Sequence, residues 1–267
     1  KLSACDFRYD AILIDEGQDF SDVMLKVVTA LLNPKTDHLA IALDENQNIY
    51  ERRSSWKAVG IHARGRVHRL LWIYRNTKEI ADFARRIIEG DQESHLEGHQ
   101  AELFPEIFEA THGPMPAIRS FSDYDAIAAW VASQIRMLAN EEGYPLSEIA
   151  VIYTMRSPEH DTAMHLPRLV IKTLEGKGIL HNWISEDYRA KRSYDVTTDN
   201  ITLSTIHSLK GLDYACVFVL GLDWLGPGNR WSEEQIRKLA YVAVTRAREK
   251  LFIPYCTEND LIKSMRY

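Results

Sequence analysis

The sequence predicts an α/β protein built on a parallel sheet with helices on its faces. Two observations carry that prediction. Short apolar runs rich in Val and Ile, such as 9–14, 149–153 and 215–220, have the length and composition of buried strands. Between them lie longer stretches whose apolar residues recur every three or four positions, the spacing of one helical face. Residues 9–14 read as a strand buried on both faces. Residues 21–32 read as a helix capped by Ser21, with Val23, Val27 and Leu31 four apart, and Asn33-Pro34 stops it. A strand at 38–43 and a polar loop follow, then a strand from Val67 to Ile73 and a helix from Thr77 to about Ile88. Charge, Gly and Pro accumulate from Glu89 to Pro116, marking the most irregular stretch.

Beyond it, a strand at 117–121 precedes a helix at 123–141 with Ile127, Val131, Ile135 and Leu138 in one apolar stripe. Strands are expected at 149–153, 179–184, 201–205 and 215–220. A last helix runs from about Ser232 to Glu249, capped by Ser232 with Glu234 and Gln235 just inside, and leads to a strand at 251–255. No internal repeat or low-complexity tract interrupts this order. Residues 1–72 are too few to close a sheet of their own, whereas 73–267 suffice for a five- or six-stranded domain, so the domain boundary is placed at residue 72.

Composition narrows the function classes. Among 267 residues, 32 Lys and Arg face 38 Asp and Glu, a net charge of −6 that excludes bulk attraction to nucleic acid but not a local basic groove. No apolar run approaches the roughly 20 residues that cross a bilayer, so no membrane contact is expected. Cys5, Cys216 and Cys256 form no close pair; they encode neither a disulfide framework nor a four-ligand zinc site, and a reducing cytoplasm fits best. The opening residues lack an initiator Met and a signal-peptide core, which reads as an excised fragment.

The run Tyr9-Asp10-Ala11-Ile12-Leu13-Ile14-Asp15-Glu16-Gly17-Gln18-Asp19 delivers three carboxylates and an amide to the end of a buried strand. In open α/β sheets that end is where ligands bind. Carboxylates there suit Mg²⁺ and a water attacking a phosphate, although an acidic pair alone also reads as a solvated loop. The string resembles the second motif of the UvrD/Rep-like superfamily 1 helicases. Four further segments occur in that family's order: 42–50 (ALDENQNIY), 71–77 (LWIYRNT), 201–221 with Thr205-Ile206-His207-Ser208-Leu209-Lys210-Gly211-Leu212-Asp213, and 239–248 (LAYVAVTRAR).

The resemblance implies a complete second RecA-like motor domain at 73–267 and a remnant of the first at 1–72. It implies that Asp15 binds Mg²⁺, Glu16 activates the hydrolytic water and Gln47 senses the γ-phosphate of ATP. Arg75 and Arg246 would neutralise charge on the transferred phosphoryl group and point into one cleft; a surface salt bridge is the plainer reading of either. Tyr74 would pack on adenine, unless it is simply core, and Asp213 would approach the ribose. Single-stranded DNA contacts would come from Tyr50, Arg52, Arg53, Thr205, His207 and Lys210. Arg64, Arg66, Arg69, Arg75, Lys78, Arg85 and Arg86 either line a track or form a solvated face.

Departures from the family pattern are equally specific. Leu43 stands for a usual Gly, Arg52 for a Trp that stacks on a base, Ile73 for an Asn, and Asp213 for a Glu. A guanidinium plane can also stack. Only about 45 residues separate Arg156 from Ile201, too few for the family's large insertion, which argues against processive unwinding more than against translocation. No Gly-x-x-x-x-Gly-Lys-Ser/Thr string occurs, so the phosphate loop is expected upstream, in the part of the same protein that would complete the ATP site. Two rivals remain: a catalytically inactive RecA-like DNA- or protein-binding module, and an ATPase subunit of a helicase-nuclease.

Overall fold

The computed structural model describes residues 7–44, 56–68, 75–89, 111–154, 165–185, 198–209, 211–226 and 231–266. The chain divides into two compact units, Lys1–Leu70 and Leu71–Tyr267.

In the first unit, β1 (Ala11–Ile14) pairs in parallel with β2 (His38–Ile41), joined by α1 (Asp22–Leu31). Ser21 caps α1 through its side chain on Met24 N. The helix buries Leu25 and packs Val28 against the sheet, with Val59 and Trp56 closing the small core. Two expectations need correction. Val23 is on the open side of α1, 71% exposed, so the buried stripe is set by Leu25 rather than by Val23. Nor is β1 buried on both faces: Ile14 is 6% exposed but Leu13, on the opposite face, is 82% exposed, because α1 lies on one side only. Val67 and His68 lie outside any strand, and the rest of the strand expected at 67–73 lies outside the described residues.

The second unit is a six-stranded, wholly parallel sheet in the order β3-β8-β7-β4-β6-β5. Its strands are β3 (Ala117–Ser120), β4 (Ile149–Tyr153), β5 (His181–Trp183), β6 (Ile201–Thr205), β7 (Tyr214–Leu220) and β8 (Ala247–Tyr255). Central strands β4 and β7 are buried along their whole length, as strands covered on both faces must be. Alternation sorts their side chains. Ile149, Val151 and Tyr153 join Cys216, Phe218 and Leu220 in a core with α3 (Tyr124–Asn140) and α4 (His165–Gly176). On the other side, α2 (Lys78–Glu89) packs on α5 (Glu233–Val244), α6 (Asp260–Met265) and β8.

Asp123 caps α3, and its stripe Ile127, Val131, Ile135 and Leu138 is buried as the periodicity predicts. Helices α4 and α6 are additions to the sequence reading; α4 buries Leu166, Val170 and Leu174 on one face. The last long helix starts where expected, on a Ser232–Gln235 capping box, but stops at Val244 rather than Glu249. Thr245 turns its hydroxyl back to Tyr241 O at 2.9 Å, and Arg246 O is taken by Tyr214 N at 2.9 Å, which draws the chain into β8 four residues early.

Candidate functional site

The carboxyl end of β1 holds the first acidic group. Asp15 is exposed and its Oδ1 accepts from Glu16 N at 2.9 Å. Glu16 sits in the left-handed region at φ 52° and ψ 43°, a conformation that costs a residue with a Cβ on the order of 1 kcal/mol or more. Gln18, buried, fixes this turn: its Nε2 donates to Glu16 Oε2 at 2.5 Å and its Oε1 accepts from Asp44 N at 3.0 Å. The amide thereby ties the Asp-Glu turn to the segment leaving β2. A Cβ on Gly17 would overlap the Ile41 side chain, so glycine is required there.

Among the described residues no group of three or more His, Cys, Asp or Glu is arranged to hold a metal ion. Mg²⁺ is commonly held by one or two carboxylates together with substrate phosphates and water. Asp15 is an exposed carboxylate of the type such a site uses and does not by itself make one. Gln47, Tyr50, Arg52 and Arg53 lie outside the described residues, as do Tyr74 and Lys210.

At the amino edge of the six-stranded sheet the segments before β7 and β8 meet. Asp213 forms an ion pair with Arg75, Nε to Oδ2 at 3.0 Å, and its Oδ1 accepts from Arg248 Nη1 at 2.8 Å. Arg248 also holds Glu148 at 2.6 Å; burial alone would lower its pKa, but the two carboxylates outweigh burial and raise it. The Arg75 side chain is 49% exposed. Arg246 is the opposite, at 1% exposure. Its Nε donates to Val242 O at 3.0 Å, Nη1 to Leu212 O at 3.3 Å and Nη2 to Thr245 Oγ1 at 3.4 Å. Residues 212–213 thus bring the two arginines together, one on a side chain and one on a carbonyl, with one guanidinium open and the other enclosed.

Asn76, to which the motif pattern gives no role, joins these segments. Buried at 7% exposure, it donates through Nδ2 to Thr245 O at 3.0 Å and Ala247 O at 2.5 Å, while Thr77 N donates to Arg248 O at 2.9 Å. The start of α2 is therefore stitched to the start of β8 by backbone-directed bonds.

Thr205 and His207 lie at the other, carboxyl edge. Thr205 ends β6 and pairs in register with Tyr153 at the end of β4. Its hydroxyl donates to Ser208 Oγ at 3.1 Å, and its backbone N–H donates to Ser185 Oγ at 3.1 Å. Ser185 also meets Tyr153 OH at 2.8 Å, which accepts from Trp183 Nε1 at 2.7 Å. His207 packs against Trp231, ring centroids 5.9 Å apart. Neither Ser185 nor Trp231 stands in a recognisable motif: Ser185 is brought here by the pairing of β5 with β6, and Trp231 lies just ahead of α5. The two edges are separated by the length of β7, about 20 Å at the rise of a strand, and residues 206–213 cross that distance. In the basic run, Arg64 and Arg66 belong to the first unit and Arg75, Lys78, Arg85 and Arg86 to the second.

Comparison with known proteins identifies residues 179–258 with the UvrD-like helicase C-terminal domain. The chain is 24% identical over 345 aligned residues to the ATP-dependent DNA helicase UvrD2 of Mycobacterium tuberculosis, covering 95% of this chain and 48% of that protein. It is 42% identical over 75 residues to DNA helicase II of Escherichia coli K12, covering 25% of this chain and 10% of that one. A solved C-terminal domain of a possible DNA helicase from Lactobacillus plantarum overlaps 73% of this chain and 94% of its own, with 17% identity and a TM-score of 0.48. The chain spans about half the length of the UvrD2 relative.

Proposed function

We propose, for a chain that carries the C-terminal domain of the UvrD/Rep-like superfamily 1 helicases, that it serves an ATP-driven motor on single-stranded DNA. One observation carries this reading. A single segment, 201–213, supplies Thr205, His207 and Ser208 at one sheet edge and the Asp213 carboxylate that engages Arg75 at the other. A load on the nucleic-acid side and a charge change on the nucleotide side would then act on the same short stretch of backbone.

Within that reading each residue has a task set by its chemistry. Asp15 is one ligand of phosphate-held Mg²⁺, which when bound with ATP neutralises phosphate charge. Glu16, held by Gln18, orients or deprotonates the attacking water. Arg75 keeps its exposed guanidinium face for a phosphate and exchanges Asp213 for it. Gln47, Tyr74, Tyr50, Arg52, Arg53 and Lys210 keep the roles their motifs suggest. The bare face of β1 around Leu13 supports assembly with another segment of the same protein, which we take to carry the phosphate loop. No helix is long and apolar enough to cross a membrane among the described residues.

The enclosure of Arg246 favours a second reading, an inactive RecA-like docking module, since a guanidinium spent on carbonyls does not reach a phosphate without moving. DNA binding is testable on the chain itself by fluorescence anisotropy with a labelled single strand at several salt concentrations. Affinity should fall steeply as salt rises, because Lys and Arg contacts release counterions even from a protein of negative net charge. His207→Ala should weaken binding with the salt slope unchanged, and Arg64→Ala with Arg66→Ala should flatten the slope. Affinity indifferent to salt and to all three substitutions would reject the track.

A further inference from the structure

We propose that the Ser185 hydroxyl donates a hydrogen bond to a phosphate oxygen of the bound single strand, a contact no helicase motif assigns. The inference rests on the nucleic-acid reading of the carboxyl edge and follows from counting protons there. Tyr153 OH accepts from Trp183 Nε1 at 2.7 Å and has one proton to give. Its neighbour is Ser185 Oγ at 2.8 Å, a contact in which either oxygen has the geometry to donate.

Were Ser185 the donor, Tyr153 would accept twice and its own proton would be stranded. Tyr153 is 1% exposed, and a buried hydroxyl proton without an acceptor costs about 1–3 kcal/mol. The arrangement that strands nothing has Tyr153 donating to Ser185. Ser185 Oγ also accepts Thr205 N–H at 3.1 Å, so both its lone pairs are filled from inside. Its proton is left over, with no acceptor among the described residues, on a residue that is only half-buried. The contacts to Tyr153 and Thr205 therefore leave Ser185 as a donor whose proton no described residue takes.

Thr205 repeats the logic one step along. Its hydroxyl donates to Ser208 Oγ at 3.1 Å and accepts Ser208 N–H at 3.3 Å, so Thr205 hands its proton to a neighbour, and Ser208 is left with one to give. Two hydroxyl protons with no acceptor among the described residues then flank Thr205 at the sheet edge where α/β proteins bind ligands. A neutral, fixed donor of this kind suits an anionic oxygen: hydroxyls commonly contact phosphates and set the register of the strand without reading its bases.

The test is a binding titration of the 267-residue chain with oligothymidylate and with the same oligomer carrying one methylphosphonate, moved through the site. Ser185→Ala should weaken binding about tenfold, the size of a hydrogen bond to a charged group, with no change in salt slope, and one methylphosphonate position should abolish the difference from wild type. Ser185→Thr should bind within about twofold of wild type. Tyr153→Phe should lower the melting temperature yet leave affinity within about twofold, because Ser185 keeps its own proton. If Ser185→Ala does not fold, Ser185→Cys keeps the shape with a weak donor and should show the loss.

Equal binding by Ser185→Ala and wild type, with His207→Ala weakened, would remove Ser185 alone from the track. An equal loss in Tyr153→Phe would show that Ser185 acts only by placing Thr205, and would overturn the contact. No binding by the wild-type chain, or no effect of either Ser185→Ala or His207→Ala, would sink the nucleic-acid reading with it.

Discussion

The 267-residue chain is expected to turn over ATP no faster than buffer, although it carries an acidic pair and an exposed arginine of the right kind. Phosphoryl transfer is catalysed almost wholly by positioning and by charge stabilisation, and positioning needs groups that grip the β- and γ-phosphates. The sequence contains no phosphate loop to do so. Asp15 and Glu16 polarise and activate; they do not hold. Joining the chain to a phosphate-loop segment of the same protein should raise turnover by several orders of magnitude, read as phosphate release. Robust hydrolysis by the pure chain, abolished by Glu16→Gln, would mean that the nucleotide site has been misplaced.

The largest loss of stability is expected from Arg246→Ala, about 3–5 kcal/mol by urea denaturation. The side chain is fully enclosed, so truncation leaves both a cavity and carbonyls of Val242 and Leu212 short of a donor. Arg75→Ala should cost under about 1 kcal/mol, since its ion pair with Asp213 is half in solvent. The contrast matters for function. A loss of ATPase in an Arg246 variant would mix unfolding with catalysis, whereas the same loss in Arg75→Ala would report on charge stabilisation. If Arg246→Ala proved as mild as Arg75→Ala, the guanidinium would not be enclosed in solution.

What could be read from the sequence follows from how local the cause is. The α3 stripe, the Ser232 cap and the buried β4 and β7 depend on side chains within one element, and each is found where its pattern puts it. The end of α5 was not legible, because nothing between Val244 and Glu249 forbids a helix; the chain turns there when Tyr214 and Thr77 claim the carbonyls of Arg246 and Arg248. The both-faces burial expected of β1 failed for the same kind of reason, since an apolar residue such as Leu13 does not reveal whether anything lies over it.

The site divides along the same line. Motif spacing picks out Asp15, Glu16, Arg75, Thr205, His207, Asp213 and Arg246 as chemistry. It does not distinguish an arginine facing solvent from one spent on carbonyls, because both occupy the same pattern. Gln18 stands in its motif string, but its bond to Asp44 N is visible only in the folded chain; Asn76 and Ser185 act through backbone groups of distant segments, and only the folded chain reveals them.

The most direct test of the motor reading is the single-stranded-DNA dependence of ATP hydrolysis by the complete protein that contains this chain, wild type against Glu16→Gln. The account predicts turnover that rises when single-stranded DNA is added and falls at least a hundredfold in Glu16→Gln, on the order of a lost general base, while DNA binding persists. Hydrolysis absent from the wild type under the same conditions, with DNA still bound, would contradict it and leave the inactive docking module.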